Sequence, residues 1–159
     1  MLRKIVSGGQ TGVDRGALDA ALAAGFPCGG WCPAGRKAED GPIPERYPLA
    51  ALASADYAER TRQNVLDSDG TLIIHFGGPT GGTLRTLQLC GQHQKPYLAI
   101  DGAAVDPEQA GARAAAFVGE RAIGVLNVAG PRESTHAGAR AYAQTAVAAL
   151  IRRSTSASP

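Results

Sequence analysis

The stretch RKIVSGGQTGVDRGA, from Arg3 to Ala17, decides how the rest of the chain is read. Ile5 and Val6 make a short apolar strand that runs into Ser7-Gly8-Gly9-Gln10-Thr11-Gly12. The residues that follow take helical periodicity, with Leu18 and Leu22 one turn apart. Such a turn gathers bare backbone N–H groups at a helix N-terminus, where glycine admits a close approach and the helix dipole favours negative charge. Phosphate is the anion this geometry suits best. The spacing is neither the GxGxxG dinucleotide fingerprint nor a Walker A loop, since no Gly-Lys-Ser/Thr follows. A glycine-rich strand-to-helix turn is also what any βα unit needs, so spacing alone leaves both roles open.

The chain has 159 residues, the size of one domain with an ordinary core that needs no metal or disulfide staple. Its net charge of +2 falls short of the basic footprint of a nucleic-acid binder, and aromatics are few. No stretch reads as a membrane span, and the N-terminus leads directly into a strand without a secretory leader. Cys28 and Cys32 are spaced CxxxC and Cys90 stands apart, which fits neither a disulfide framework nor a four-ligand zinc site. Reduced thiols, a cytoplasmic location and no metal site are the expectation.

Residues 11–24 read as a helix with Gly25 as its C-cap. Asp14 suits the first turn, but Arg15 does not, because a cation there opposes the dipole unless it meets an anion or a carboxylate. Residues 26–31 suggest a strand broken by Gly29-Gly30. Residues 32–44 form a proline-restrained loop in which Arg36, Lys37, Glu39 and Asp40 are either a lid or specificity loop or an ordinary solvated one. One or two helices are expected over 47–67, with Tyr57, Thr61, Asn64 and Val65 on one face. Residues 71–76 are a buried strand of the parallel type, with His75 just before the turn that follows, which reads as packed rather than as a base.

A second glycine-rich turn, Gly77-Gly78-Pro79-Thr80-Gly81-Gly82-Thr83, follows that strand and opens a helix over 84–90. Further strands are expected over 95–100 and 122–128, with a helix from Pro107 to Val118 between them. A third polar turn, Ala129 to Ser134, leads into a last helix through Ile151, with Ser134 as a possible N-cap and residues 152–159 as a disordered tail. The alternation predicts an α/β fold: a single-domain Rossmann-like parallel sheet over residues 1–151, with helices on both faces. In such a sheet ligands sit beyond the carboxyl ends of the strands, where the turns face one another. The ligand-binding candidates are Ser7, Gly8, Gly9, Gln10, Thr11, Gly12, Asp14 and Arg15, then Gly78, Thr80, Gly81, Gly82 and Thr83, then Arg132, Glu133 and Ser134.

Four stretches, Ser7–Ala21, Gly29–Pro44, Ser68–Thr86 and Leu126–Ser134, resemble the molybdenum-cofactor carrier family. That family, named for a proposed role, is a circularly permuted branch of the SLOG superfamily, with the Lonely Guy-type cytokinin-activating enzymes and the DNA-processing protein DprA. The resemblance implies a Rossmann-like fold with a phosphate or nucleotide cleft, a homodimer or homotetramer, and the molybdenum cofactor as cargo. Lonely Guy-type enzymes carry a PGGxGTxxE motif whose glutamate serves in cleaving the base from a nucleoside monophosphate. Here the nearest match is Gly78-Pro79-Thr80-Gly81-Gly82-Thr83, and the glutamate's place falls to Thr86, which cannot act as a carboxylate.

Two functions follow. The first is binding of a phosphorylated small molecule, a nucleotide or the pterin cofactor. The second is a nucleoside-5′-monophosphate phosphoribohydrolase whose acid comes from Asp14, Glu39, Asp40 or Glu133, with Asp14 and Arg15 as catalytic candidates.

Overall fold

A computed structural model describes residues 1–156. In chain order the elements are β1 (Lys4–Val6), α1 (Val13–Ala23), β2 (Cys28–Gly29), β3 (Trp31–Cys32), β4 (Lys37–Ala38), β5 (Gly41–Pro42), β6 (Ala50–Ala51) and α2 (Tyr57–Leu66). They continue with β7 (Gly70–His75), α3 (Gly81–Gln92), β8 (Tyr97–Asp101), α4 (Pro107–Glu120), β9 (Val125–Ala129) and α5 (Ala139–Ser156). Five strands form the central sheet in the order β2-β1-β9-β7-β8, and every pairing is parallel.

The sheet has a thick side and a thin side, and the strand sequences dictate which is which. Ile5, Leu72, Ile74, Leu126 and Val128 point, two residues apart along each strand, into the main core with α1, α4 and α5. Alanines at 17, 20 and 21 of α1 and at 139, 143 and 146 of α5 share that core, so two helices lie close together on the sheet. The other face carries Thr71 and Asn127, and Asn127 Nδ2 donates to Thr71 Oγ1 at 3.4 Å. The helices α2 and α3 pack there through the small cluster Val65, Leu89 and Cys90. A third cluster, Leu18, Cys32, Ala38, Ile43 and Tyr47, seats the excursion between β3 and α2 against α1.

The expected architecture is the observed one, with local corrections. Helix α1 ends one residue early at Ala23, and Gly25, at φ 62°, completes the stop. Its N–H donates to Leu22 O while that of Phe26 donates to Ala21 O, the paired bonds of a Schellman turn. Residues 47–56 are not helical. Pro44 and Pro48 lack an N–H, and the N–H groups of Ala50 and Leu52 are drawn to Gly30 O and Cys32 O, which pairs β6 with β3. The helix starts only at Tyr57, after the N-cap Asp56, whose carboxylate accepts the Ala58 N–H at 2.9 Å.

Ser134 does not cap α5, which begins five residues later. The helix also runs to Ser156, through residues 152–156 of the expected tail, and residues 157–159 lie outside the described residues. Arg152 ties this last turn to Glu108 of α4 at 3.0 Å. Among the described residues no helix is long and apolar enough to cross a membrane.

Candidate functional site

Three adjacent strands, β1, β9 and β7, end at one edge of the sheet, and the chain leaves each of them through a polar turn. Together the turns and α2 enclose a cavity of about 370 Å³. Gly8 and Gln10 come from the turn after β1 and Asp14 from the start of α1, Thr80 from the turn after β7 and Gly81, Gly82 and Thr83 from the start of α3, and Arg132 from the turn after β9. Ser7, Gly9, Thr11, Gly12, Arg15, Gly78, Glu133 and Ser134 stand outside its lining.

In the turn after β1 three N–H groups meet the protein's own acceptors, while those of Gly8, Gly9 and Gly12 meet none among the described residues. Asp14 folds back to accept the Gln10 N–H at 3.2 Å, Gln10 Oε1 takes the Thr11 N–H at 3.0 Å, and Pro131 O takes the Val13 N–H at 3.2 Å. The Ser7 hydroxyl donates to Val128 O at 2.6 Å. Gly12 has φ 79°, and a Cβ there would lie 2.3 Å from Pro131 O, so this glycine serves close packing of two turns. Arg15 finds the carboxylate its position demanded: Nη1 and Nη2 hold Asp40 at 2.5 and 2.8 Å while Nε donates to Gly9 O at 3.0 Å. The Arg15 guanidinium in turn holds the Asp40 carboxyl below the usual range.

The expected lid is pinned down. Arg36 donates to the carbonyls of Ile43, Leu49, Pro44 and Tyr47, and so clamps its own loop. Glu39 accepts from the Thr11 and Ser134 hydroxyls, which lowers its carboxyl, and latches the loop to the turn after β9. Glu133 takes the N–H groups of Gly138 and Arg140 at 2.8 and 2.9 Å, capping the start of α5 and lowering its own carboxyl. Lys37 is the one charged loop residue near the site, with Nζ 4.5 Å from the centroid of the Tyr57 ring.

The turn after β7 is built differently. The N-cap Thr80 makes no side-chain capping bond, although its carbonyl starts α3 by accepting from Thr83 and Leu84. Among the described residues no protein acceptor meets the N–H of Gly81 or Gly82, and beyond the adjoining backbone nothing lies within 4 Å of where a Cβ would stand on either. Orphan N–H groups at the positive end of a 12-residue helix therefore belong to residues that line the cavity. Outside it, the Gly78 N–H donates to His75 Nδ1 at 3.1 Å, which makes His75 the packed, hydrogen-bonded residue expected of it.

Charge reinforces this end. Arg60, Arg85 and Arg132 line the cavity against a single carboxylate, Asp14. Arg132 lies over the Tyr57 ring with its guanidinium carbon 4.9 Å from the centroid, and Arg60 Nη1 pairs with Asp14 Oδ2 at 2.8 Å. Burial pushes the Asp14 carboxyl above its ordinary value, against the pull of Arg60 and the Gln10 N–H. Thr86 also lines the cavity, with its hydroxyl donating to Gly82 O at 3.0 Å. Of the four acids weighed as substitutes for a glutamate there, only Asp14 reaches the cavity.

Tyr57, Arg60, Asn64, Arg85 and Asn127 belong to the site, and their chemistry is invisible in the sequence alone. Tyr57 and Asn64 did share one helical face, and that face turns to the cavity. Cys28, Cys32 and Cys90 are outside the lining, with burial pushing each thiol up. No cluster of three or more histidine, cysteine or acidic residues suited to a metal ion occurs among the described residues.

Residues 5–151 match the profile of the circularly permutated YpsA SLOG family, almost the whole domain including all three turns. The chain belongs to this family. The crystal structure of the "putative molybdenum carrier protein" of Syntrophus aciditrophicus SB superposes with a TM-score of 0.91 at 42% sequence identity, covering 94% of this chain and 95% of that one. A search of curated proteins found no match. Within the SLOG architecture the cavity occupies the crevice beyond the strand ends, the place where an open parallel sheet holds its ligand.

Proposed function

We propose that this protein binds a phosphorylated small molecule, a nucleotide or a pterin cofactor of the molybdenum type, with the phosphate at the N-terminus of α3. The observation that carries the reading is the pair of unpartnered N–H groups at Gly81 and Gly82. Around them Arg85 and Arg132 supply charge-assisted donors, and Thr80 and Thr83 supply hydroxyls. A carrier role agrees with the name of the Syntrophus protein, and the cofactor is then cargo whose phosphate end the cavity grips. The free, unpaired cysteines suit a cytoplasmic protein, and the family resemblance adds a homodimer or homotetramer, which sedimentation equilibrium measures.

Titration calorimetry with inorganic phosphate and ribose 5-phosphate tests the reading. Both ligands bind wild-type protein and lose about tenfold or more in affinity in Arg132→Ala, the usual loss for a charged hydrogen bond. Absence of phosphate binding in wild-type protein overturns it.

The second reading, a phosphoribohydrolase, is favoured by one observation: Asp14, a buried carboxylate of raised pKa, faces the same cavity. Incubation with AMP then releases adenine in proportion to protein, and Asp14→Asn abolishes the release. Intact AMP after long incubation removes this reading and leaves the binding one in place.

A further inference from the structure

Three cations from three elements converge on one aromatic ring. Lys37 Nζ of β4 lies 4.5 Å from the centroid of the Tyr57 ring, the guanidinium carbon of Arg132, in the turn after β9, lies 4.9 Å away, and that of Arg60 in α2 lies 5.9 Å away. Tyr57, Arg60 and Arg132 line the cavity, and Lys37 is outside its lining. We infer that Tyr57 is the positioning residue of the anion site: its ring holds Arg132 towards the phosphate and brings the charge of Lys37 to bear on it. The inference rests on the phosphate reading above and goes beyond it by naming what sets the cations.

Lys37 and Arg132 are both close enough to one centroid to lie within a Debye length of each other, about 10 Å at 0.1 M salt. Like charges at that range repel, and the protein leaves them uncompensated. Arg60 is paired with Asp14 at 2.8 Å, whereas among the described residues neither Lys37 nor Arg132 forms an ion pair with a carboxylate. Glu39 is the acid whose charge Arg132 stabilises, and its two oxygens are engaged with the Thr11 and Ser134 hydroxyls. Asp56, next to Tyr57, is turned to the Ala58 N–H. The attraction that holds both cations in place is therefore the negative face of the ring. A dianionic phosphate relieves a repulsion that the ring by itself only offsets.

The ring is itself fixed. Tyr57 opens α2, and further along the same helix Asn64 accepts the Trp31 N–H at 2.8 Å and donates to Trp31 O at 3.0 Å, which fastens α2 to β3. Of the three cations, Arg60 lies one turn from Tyr57 on the same helix and is a local neighbour. Lys37 and Arg132 arrive from elsewhere in the chain, and long cationic side chains lose much rotamer freedom when a ligand has to order them. A ring that imposes this order beforehand gives an affinity that a free surface cation lacks.

The test is calorimetric titration of ribose 5-phosphate into wild-type protein, Tyr57→Phe, Tyr57→Leu, Lys37→Met, Arg132→Ala and the double variant Tyr57→Leu/Arg132→Ala. Tyr57→Phe keeps the ring and binds as wild-type protein does, whereas Tyr57→Leu binds about fivefold more weakly. In the Arg132→Ala background the same Tyr57→Leu change costs about twofold or less, because the cation it positions is gone. Lys37→Met binds about threefold more weakly at low salt, and the difference shrinks as salt is raised. Tyr57→Phe losing as much as Tyr57→Leu makes the hydroxyl a ligand contact and overturns the positioning role. So does an equal loss from Tyr57→Leu with and without Arg132. Wild-type affinity in Lys37→Met overturns the part given to Lys37, and this comparison leaves the ring in place. Wild-type affinity in Tyr57→Leu overturns the inference with the phosphate site standing, and no binding to wild-type protein overturns both.

Discussion

The turns after β1 and after β7 look alike as sequence and differ as structure in how tightly they are packed. Each joins a core strand to a helix through glycine and threonine, and each leaves N–H groups at a helix N-terminus. In the first, Asp14, Gln10 and Pro131 accept the N–H groups of Gln10, Thr11 and Val13, and Gly8, Gly9 and Gly12, whose N–H groups meet no acceptor among the described residues, are packed against Arg60, Leu49 and the turn after β9. In the second, the cap side chain makes no bond and the space in front of Gly81 and Gly82 is open. A glycine-rich turn therefore needs both unpaired donors and open space around them to take an anion.

The largest expected effect separates the two turns by stability. Gly12→Ala places a methyl group 2.3 Å from Pro131 O at φ 79° and should cost about 3 kcal/mol or more. Gly81→Ala has φ 52° but open space, and should cost about 1 kcal/mol, the left-handed backbone penalty alone. Urea denaturation measures both, and equal losses would break the comparison.

Next in size is the contrast between two arginines. Arg15→Ala removes a buried guanidinium and leaves Gly9 O without its donor, for a loss of about 2 kcal/mol in stability and a lower Tm. Arg132→Ala should leave Tm nearly unchanged and weaken phosphate binding instead. A reversal, with Arg15 controlling affinity, would restore the first turn as the anion site.

Acid sensitivity sharpens the picture further. Glu39, Asp40 and Glu133 all have lowered carboxyl pKa values, because hydroxyls, Arg15 and backbone N–H groups hold the charged forms. Their contribution is present above the ordinary carboxylate value of about 4 and is lost as pH falls through the lowered folded values. Glu39→Gln should therefore flatten the acid side of a stability-versus-pH curve, by well under 1 kcal/mol because the group is exposed. Buried Asp14 works in the other direction: its raised value favours the fold at low pH, and that contribution is lost as pH rises through it. An unchanged acid limb in the Glu39 variant would mean that the loop latch is not formed in solution.

The smallest effect concerns caps. Asp106 caps α4 through the Gln109 N–H at 3.0 Å, so Asp106→Ala should cost about 1 kcal/mol. Thr80 makes no such bond, and Thr80→Ala should cost less than about 0.5 kcal/mol in the absence of ligand. Thermal denaturation of the two variants decides whether the cap of α3 is as open as its geometry indicates.

What the sequence by itself determined was local. Apolar runs such as Thr71–Ile74 specify buried parallel strands, alanine-rich segments specify closely packed helices, and the glycine turns mark where one becomes the other. Those patterns depend on residues a few positions apart, which is why the fold class and most of its elements were readable. The dipole argument even foresaw that Arg15 needs a negative partner, without saying which.

Tertiary structure decided the partners. Arg15 meets Asp40 across 25 positions, Arg60 meets Asp14 across 46, and Glu133 meets Thr11 across 122. Whether a donor is spent within the protein or left for a ligand depends on such long-range pairings, and no local pattern encodes them. The order β2-β1-β9-β7-β8 brings the last strand between the first and the seventh. That placement sets Asn127 and Arg132 beside the two glycine turns and turns three separate strand ends into one cavity.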